Sequence, residues 1–316
     1  MKRITTGETK KNDAIKFLMQ FEAKQKVKPK LKSVMLSVFA KEYNQFIETK
    51  FSKSHLKCTK STFKHLLNLI NDIPLNKINS RTLETFLIAH YKKSKHGALL
   101  FYRVLNAAFN KAINWEYIES NPMKSIKPPK VPANNPLFIT ADQLEKILVN
   151  VENPILRDFY IFSFHSGMRA GEIINLKWNQ VSLNDKLIRV TNTKEFSTKG
   201  KRERVIPINE KLFNLLSNKL PKFYDINNPG YVFNKHGFKF NLEYVSKGFK
   251  KAVRKTEGID PKIHLHSLRH SFASNIVKQN VSLYVVKELL GHKKISTTEI
   301  YSHVAVDTLR NAVNVL

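Results

Sequence analysis

Five of the chain's twelve prolines, Pro122, Pro128, Pro129, Pro132 and Pro136, fall within fifteen residues. Proline fixes φ and has no N–H to donate, so a run this dense stops helices and excludes central strands. With Lys124, Lys127 and Lys130 interleaved, residues 122–137 read as an extended basic linker. The chain divides there into two folding units, as its length of 316 residues also suggests. Both units are basic. The segment before residue 138 has 26 Lys or Arg against 9 Asp or Glu, and the remainder has 28 against 16. The formal charge of +29 far exceeds what solubility requires and points to a polyanionic partner. Two basic units on a basic linker would grip such a partner from both sides.

The remaining composition narrows the class. Hydrophobic residues at 42 % and aromatics at 10 % supply real cores and exclude a disordered basic tail. A single cysteine, Cys58, leaves no internal disulfide and no cysteine-based zinc cluster, which fits a reducing compartment. No apolar run approaches the length that spans a bilayer, and Met1-Lys2-Arg3-Ile4-Thr5 is not followed by a signal-peptide core. The expectation is a cytoplasmic protein with no membrane partner.

Periodicity then assigns elements. Residues 1–33 hold ten Lys or Arg and little apolar repeat, and read as a loosely ordered basic arm, either a solvated tail or a nucleic-acid contact. Residues 34–121 are helical. Tyr102, Leu105, Phe109, Ala112 and Ile113 recur at helical spacing, as do Leu83, Phe86, Leu87 and His90, with Asn79-Ser80 as a cap. After the linker, Thr140-Ala141-Asp142-Gln143 has capping-box spacing and opens a helix carrying Leu144, Ile147 and Leu148. A second apolar helix follows over 154–164. Two strand-like segments, 186–191 and 204–208, come next. The rest is helical, including 243–255 with Val245, Phe249, Ala252 and Val253 inward and Lys247, Lys250, Lys251 and Arg254 outward. The predicted fold is mainly α: a helical domain, then a mixed α+β domain over 138–304 with one small antiparallel β-sheet.

No P-loop, GxGxxG, HExxH or CxxC motif occurs, so nucleotide hydrolysis and structural zinc lack support. Basic and hydrogen-bonding residues at helix ends stand out instead. In Ser166-Gly167-Met168-Arg169-Ala170-Gly171-Glu172, Gly167 would end one helix and Arg169 would begin the next. An arginine fork beside free backbone N–H groups suits a phosphate, with Glu172 placed to hold it; a plain surface salt bridge is the other reading. In His264-Leu265-His266-Ser267-Leu268-Arg269-His270, Leu268, Phe272 and Ile276 would form the buried stripe. His266 and Arg269 would lie off it, converging on one anion. Ordinary surface histidines, or a metal held by His266 and His270, are the rivals. Gly291 ends an apolar helix over 281–290 and is followed by His292. Ser296-Thr297-Thr298-Glu299 would cap a short helix carrying Tyr301, which alone reads as a packing residue. The hairpin segment 194–204 has five basic residues against two acidic.

Gathered on one phosphodiester, these groups describe a reaction. Arg169 and Arg269 would offset charge on a pentavalent phosphorus, the task a metal performs in other nucleases. A tyrosine hydroxyl would attack and a lysine would protonate the leaving 5′ oxygen. Such a metal-free transesterification conserves bond energy in a phosphotyrosine and needs neither ATP nor cofactor.

At this point the sequence resembles the tyrosine recombinases, the phage-integrase type of site-specific recombinase. The resemblance is carried by Ser166-Gly167-Met168-Arg169 with Glu172, by the segment 198–208, by His266-Ser267-Leu268-Arg269, by Leu290-Gly291-His292 and by the segment 297–303 around Tyr301. It implies a core-binding DNA domain over 34–121 and a catalytic domain over 138–304. It also implies the roles. Arg169, His266, Arg269 and His292 form the activating pocket, Tyr301 is the nucleophile of a 3′-phosphotyrosyl intermediate, and Glu172 supports the pocket. Lys199 is the general acid, with Lys194 and Lys201 as alternatives. Double-stranded DNA sites, a tetrameric synapse and an accessory bending or directionality factor are the implied partners. In residues 305–316, Val306, Leu309, Val313 and Leu316 make one apolar helical stripe, which packs on its own domain or, as the resemblance implies, on a neighbouring protomer. Two other functions fit part of the pattern: a type IB topoisomerase-like enzyme sharing the chemistry, and a non-catalytic DNA-binding regulator.

Overall fold

The computed structural model describes residue 7 and residues 10–26, 33–132, 135–192, 203–221 and 229–304. The chain forms two compact units, Met1–Ala133 and Asn134–Leu316.

The first unit is helical. Helix α1 spans Lys11–Lys26, where the sequence reading expects a loosely ordered arm. Lysine and glutamine are good helix formers, so a helix arises there without a strong apolar stripe, and Ile15, Leu18 and Met19 are exposed on it. Helices α2 (Leu36–Lys50), α3 (Lys53–Ile70), α4 (Ser80–Lys93) and α5 (Lys95–Asn114) enclose a core of Leu36, Phe39, Ile47, Leu66, Leu83, Phe86, Leu105 and Phe109. Each of the last three starts on a polar cap: Ser52 accepts from the His55 N–H, Asn79 from Thr82 and Ser94 from Gly97. Such caps stabilise by about 1 kcal/mol each.

The proline-rich stretch departs from an open linker. Met123 and Ile126 are buried in the first unit's core. Ser80 donates to the Pro122 carbonyl at 2.7 Å, and Tyr91 to that of Lys130 at 2.8 Å. Proline's missing N–H excludes helix and sheet but leaves its carbonyl free to accept, so the strap docks as irregular chain. Beyond it, Ile139 belongs to the second core and its N–H bonds Ser271 Oγ at 2.8 Å.

The second unit begins with α6 (Ala141–Val149), where Thr140 and Gln143 form the expected capping box, and α7 (Pro154–Ser166). A short α8 (Ala170–Ile174) leads into an antiparallel sheet of β1 (Val181–Ser182), β2 (Leu187–Val190) and β3 (Arg204–Pro207), in that order. Ile188 opposes Ile206 and both point into the core. After α9 (Glu210–Lys219) comes a hairpin absent from the sequence reading, β4 (Asn234–Lys235) and β5 (Phe238–Lys239). Helices α10 (Leu242–Lys255), α11 (Leu265–Lys278) and α12 (Leu283–Leu290) follow. The chain then makes two 3₁₀ turns, Ile295–Thr297 and Glu299–Val304.

Helix α10 buries Val245, Phe249, Ala252 and Val253, as its periodicity predicts. Lys250 differs from the expected outward face: its ammonium donates to the carbonyls of Pro261 and Ile263, tying the approach to α11 onto α10. Among the described residues, no helix is long and apolar enough to cross a membrane. The mainly helical fold with small antiparallel sheets agrees with the class read from sequence.

Candidate active site

The site forms where the C-terminal ends of α7 and α12 meet the first turns of α8 and α11. Gly167 ends α7 in the left-handed region, φ 61°. A Cβ there would stand 2.2 Å from the Phe272 ring, so only glycine permits the turn. Two residues on, Arg169 occupies the N-cap of α8. Gly291 ends α12 the same way, φ 66°, and a Cβ on it would meet Arg204 at 2.9 Å. The N–H groups of Gly291 and His292 close back on the carbonyls of Glu288 and Lys287, both at 3.0 Å, which fixes where His292 emerges.

Arg269 lies between these two helix ends. Its guanidinium donates to the Gly167 carbonyl at 2.7 Å and the Leu290 carbonyl at 2.6 Å. A cation there meets the negative ends of both helix dipoles and satisfies carbonyls the helices leave open. The side chain is buried, 2 % exposed, whereas the sequence reading places Arg269 off the buried stripe with Phe272 and Ile276 inside it. The inward face of α11 carries Leu265, Leu268, Arg269, Ala273 and Val277, with Phe272 and Ile276 half-buried beside it, so Arg269 is the departure. Burial, then the neighbouring charge of Arg169, lowers the Arg269 pKa to about 9, still a cation at neutral pH.

Glu172, 3 % exposed, organises the other two arginines. It accepts from the Arg169 N–H at 2.9 Å and from its guanidinium at 3.0 Å. Arg204 donates to both carboxylate oxygens, at 3.2 and 2.7 Å, and through Nε to the Leu289 carbonyl at 2.9 Å. Burial alone would raise the Glu172 pKa, but the hydrogen bonds and charge of Arg204, aided by Arg169, hold it at about 2. Three arginines against one carboxylate leave the cluster net-positive, which suits a phosphate. Arg204 is the residue sequence reasoning missed. Its signal is the period of two along β3: Arg204 shares a face with Ile206 and Ile208, which are buried, so an inward arginine needs a buried acceptor.

The histidines divide. His292 is buried and its Nδ1 meets Thr298 Oγ1 at 2.9 Å; burial and then Arg269 and Arg169 lower its pKa to about 4, so the ring is neutral. His266 is exposed on the first turn of α11, and its ring stands edge to face with that of His270 at 4.8 Å. Among the described residues, no group of three or more His, Cys, Asp or Glu gathers as a metal would require. His270 is turned elsewhere: its Nδ1 lies 2.8 Å from the Tyr301 hydroxyl.

Tyr301 sits in the 3₁₀ turn Glu299–Val304, in place of the expected short capped helix. Thr298, just before this turn, is buried with its hydroxyl on the His292 ring. Tyr301 is 1 % exposed, packed with Ala273, Val277, Val286 and Leu290. Burial pushes its hydroxyl up to about 12, against the opposing pull of Arg269. Lys199, Lys194 and Lys201 lie outside the described residues, as does the segment 305–316. Arg169, Glu172, Arg269 and His292 are thus joined through α7, α8 and α12, and Tyr301 through α11.

Comparison with known proteins gives this arrangement a lineage. The phage integrase family profile matches residues 137–307, and the phage integrase SAM-like domain matches residues 35–128. A tyrosine recombinase of Thermosipho africanus is 30 % identical over 276 residues, covering 84 % of this chain and 94 % of its own. Among solved structures, a lambda integrase dimer bound to a COC′ core site superposes with a TM-score of 0.69 at 20 % identity, covering 92 % of this chain and 86 % of that one. A lambda integrase tetramer bound to a Holliday junction gives 0.68 at 20 % identity, over 90 % and 88 %. The arginine-lined pocket and its neighbouring tyrosine therefore lie in a chain that belongs to the phage integrase family of tyrosine recombinases.

Proposed function

We propose that the chain cuts and rejoins double-stranded DNA at defined sites through a 3′-phosphotyrosyl intermediate on Tyr301, with neither metal nor ATP. The observation that carries this reading is the pocket between the ends of α7 and α12. Arg269 is fixed there by two carbonyls, and Arg169 is held by Glu172. Pre-positioned cations stabilise charge developing on a transferring phosphoryl group without reorganising during the reaction. Arg169, His266, Arg269 and His292 activate the phosphate. Tyr301 Oη attacks phosphorus, the bond to the 5′ oxygen breaks, and Lys199 supplies that oxygen's proton. Reversal of the same step with a different 5′ hydroxyl exchanges strands.

A nicked duplex carrying the target sequence, obtained by sequencing genomic DNA trapped on the protein, tests the chemistry. Incubated in EDTA, it accumulates a denaturant-resistant protein–DNA adduct on Tyr301. Dependence of that adduct on added divalent metal overturns the mechanism. Binding comes from phosphate contacts spread over both basic units, and base contacts set the site.

Assembly follows the lambda integrase tetramer on its junction. Four protomers act on two paired sites, and the apolar stripe of Val306, Leu309, Val313 and Leu316 docks on a neighbouring protomer. Sedimentation with a four-way junction gives four protomers per junction for the full chain. Removal of residues 305–316 lowers that number while single-site binding persists; an unchanged stoichiometry sinks the docking role.

A further inference from the structure

The mechanism above leaves one proton without a destination. The Tyr301 hydroxyl must lose it as the Oη–P bond forms, and burial makes spontaneous ionisation unfavourable. A base must lie within hydrogen-bond reach of that proton. Among the described residues, the side chain that meets the Tyr301 hydroxyl is His270, with Nδ1 at 2.8 Å and the two ring centroids 5.8 Å apart. His266, one turn earlier on α11, contacts the His270 ring and is exposed.

We propose that His270, rather than His266, orients the Tyr301 hydroxyl and receives its proton during attack. This rests on the reading of Tyr301 as the nucleophile. A neutral His270 with its own proton on Nε2 accepts from Oη through Nδ1. As Oη bonds to phosphorus and the bond to the 5′ oxygen breaks, the Oη proton moves to Nδ1 and gives an imidazolium. The departing oxygen takes its proton from Lys199. Religation runs the transfers backwards, and the imidazolium returns its proton to the leaving tyrosine oxygen.

The surroundings set when this base can work. Burial, together with His266 and Arg269 on its own helix, His264 at that helix's N-cap and His292 just after α12, keeps His270 neutral in the free protein. A DNA phosphodiester entering the pocket brings negative charge among Arg269, His266 and His292, offsets their influence and raises the basicity of His270. Proton acceptance is thereby tied to occupancy of the site.

Single-turnover cleavage of the nicked substrate by His270→Phe, His270→Asn and the parent chain tests the assignment. His270→Phe keeps the ring volume and removes the acceptor; His270→Asn keeps an acceptor near Nδ1 without the basicity. Both bind DNA as the parent does, and cleavage by His270→Phe falls by roughly 100- to 10,000-fold, the usual contribution of a positioned base. His270→Asn falls by less. In both, hydroxide replaces the lost base, and the rate climbs about tenfold per pH unit above neutrality, a slope that loss of packing alone does not produce. A substrate with sulfur as the bridging 5′ atom needs no acid. It rescues Lys199→Ala but neither His270 variant. Parent-like cleavage by His270→Phe, rescue by the sulfur substrate, or a flat pH profile overturns the proposal. Should His270→Phe lose DNA binding, His270→Asn is read by the same criteria. Adduct formation by Tyr301→Phe overturns the nucleophile assignment instead, so the two failures are distinguishable.

Discussion

Tyr301→Phe is expected to bind its DNA site as tightly as the parent chain and to form no covalent adduct with it. The substitution removes one oxygen and leaves a ring that fills the same space among Ala273, Val277, Val286 and Leu290. The folded state loses the hydrogen bond to His270, a cost of about 1 kcal/mol, with a further penalty of similar size if His270 finds no water. That is small against the several kcal/mol a domain of this size holds in reserve. The reaction, by contrast, loses its nucleophile altogether. Tyr301→Ala would be a poor substitute, since emptying so buried a site costs about 3–5 kcal/mol and confounds folding with chemistry. Binding by fluorescence anisotropy and adduct yield on a denaturing gel, measured on one preparation, separate the two. Adduct at parent levels in Tyr301→Phe would place the nucleophile elsewhere.

Much of this site was legible because its parts sit at helix boundaries, where local rules are strong. Gly167 and Gly291 announce helix ends, and both adopt the left-handed conformation. Thr140 and Gln143 announce a start and form a reciprocal cap. These features depend on three or four adjacent residues. The roles of Arg204 and His270 escape such local rules for the opposite reason. Their partners, Glu172 and Tyr301, are 32 and 31 residues away, and only the fold brings them together. His270 was read with His266, its neighbour one helical turn away, although its ring nitrogen turns to Tyr301. The proline strap misled differently: proline excludes regular structure, but Met123 and Ile126 between the prolines are apolar and still seek the core.

Arg204→Ala should cost the second unit about 3–5 kcal/mol at neutral pH, the usual penalty for stripping the partner from a buried ion pair. Glu172 has a side chain 1 % exposed and Arg204 one 6 % exposed, so water cannot take over from the lost guanidinium. Arg169, 23 % exposed, is a partial counter-charge only, and the Leu289 carbonyl also loses its donor. The pH dependence identifies the cause. In the parent, Glu172 titrates at about 2 instead of its ordinary 4.5. A depressed carboxylate contributes stability that is fully present above about pH 4.5 and lost as the pH falls toward 2. A displacement of that size is worth about 3 kcal/mol. Without Arg204 the buried carboxyl protonates more readily, so the penalty of the substitution shrinks between pH 7 and pH 3. Urea unfolding followed through Trp178, buried in the second core, in a Trp115→Phe background reads that unit alone. Pairing Arg204→Met with Glu172→Gln removes both charges and recovers most of the stability. DNA cleavage stays impaired, because Arg169 no longer has the carboxylate that holds it toward the phosphate. A loss below 1 kcal/mol in Arg204→Ala, or one equal at both pH values, would mean that Glu172 does not depend on Arg204.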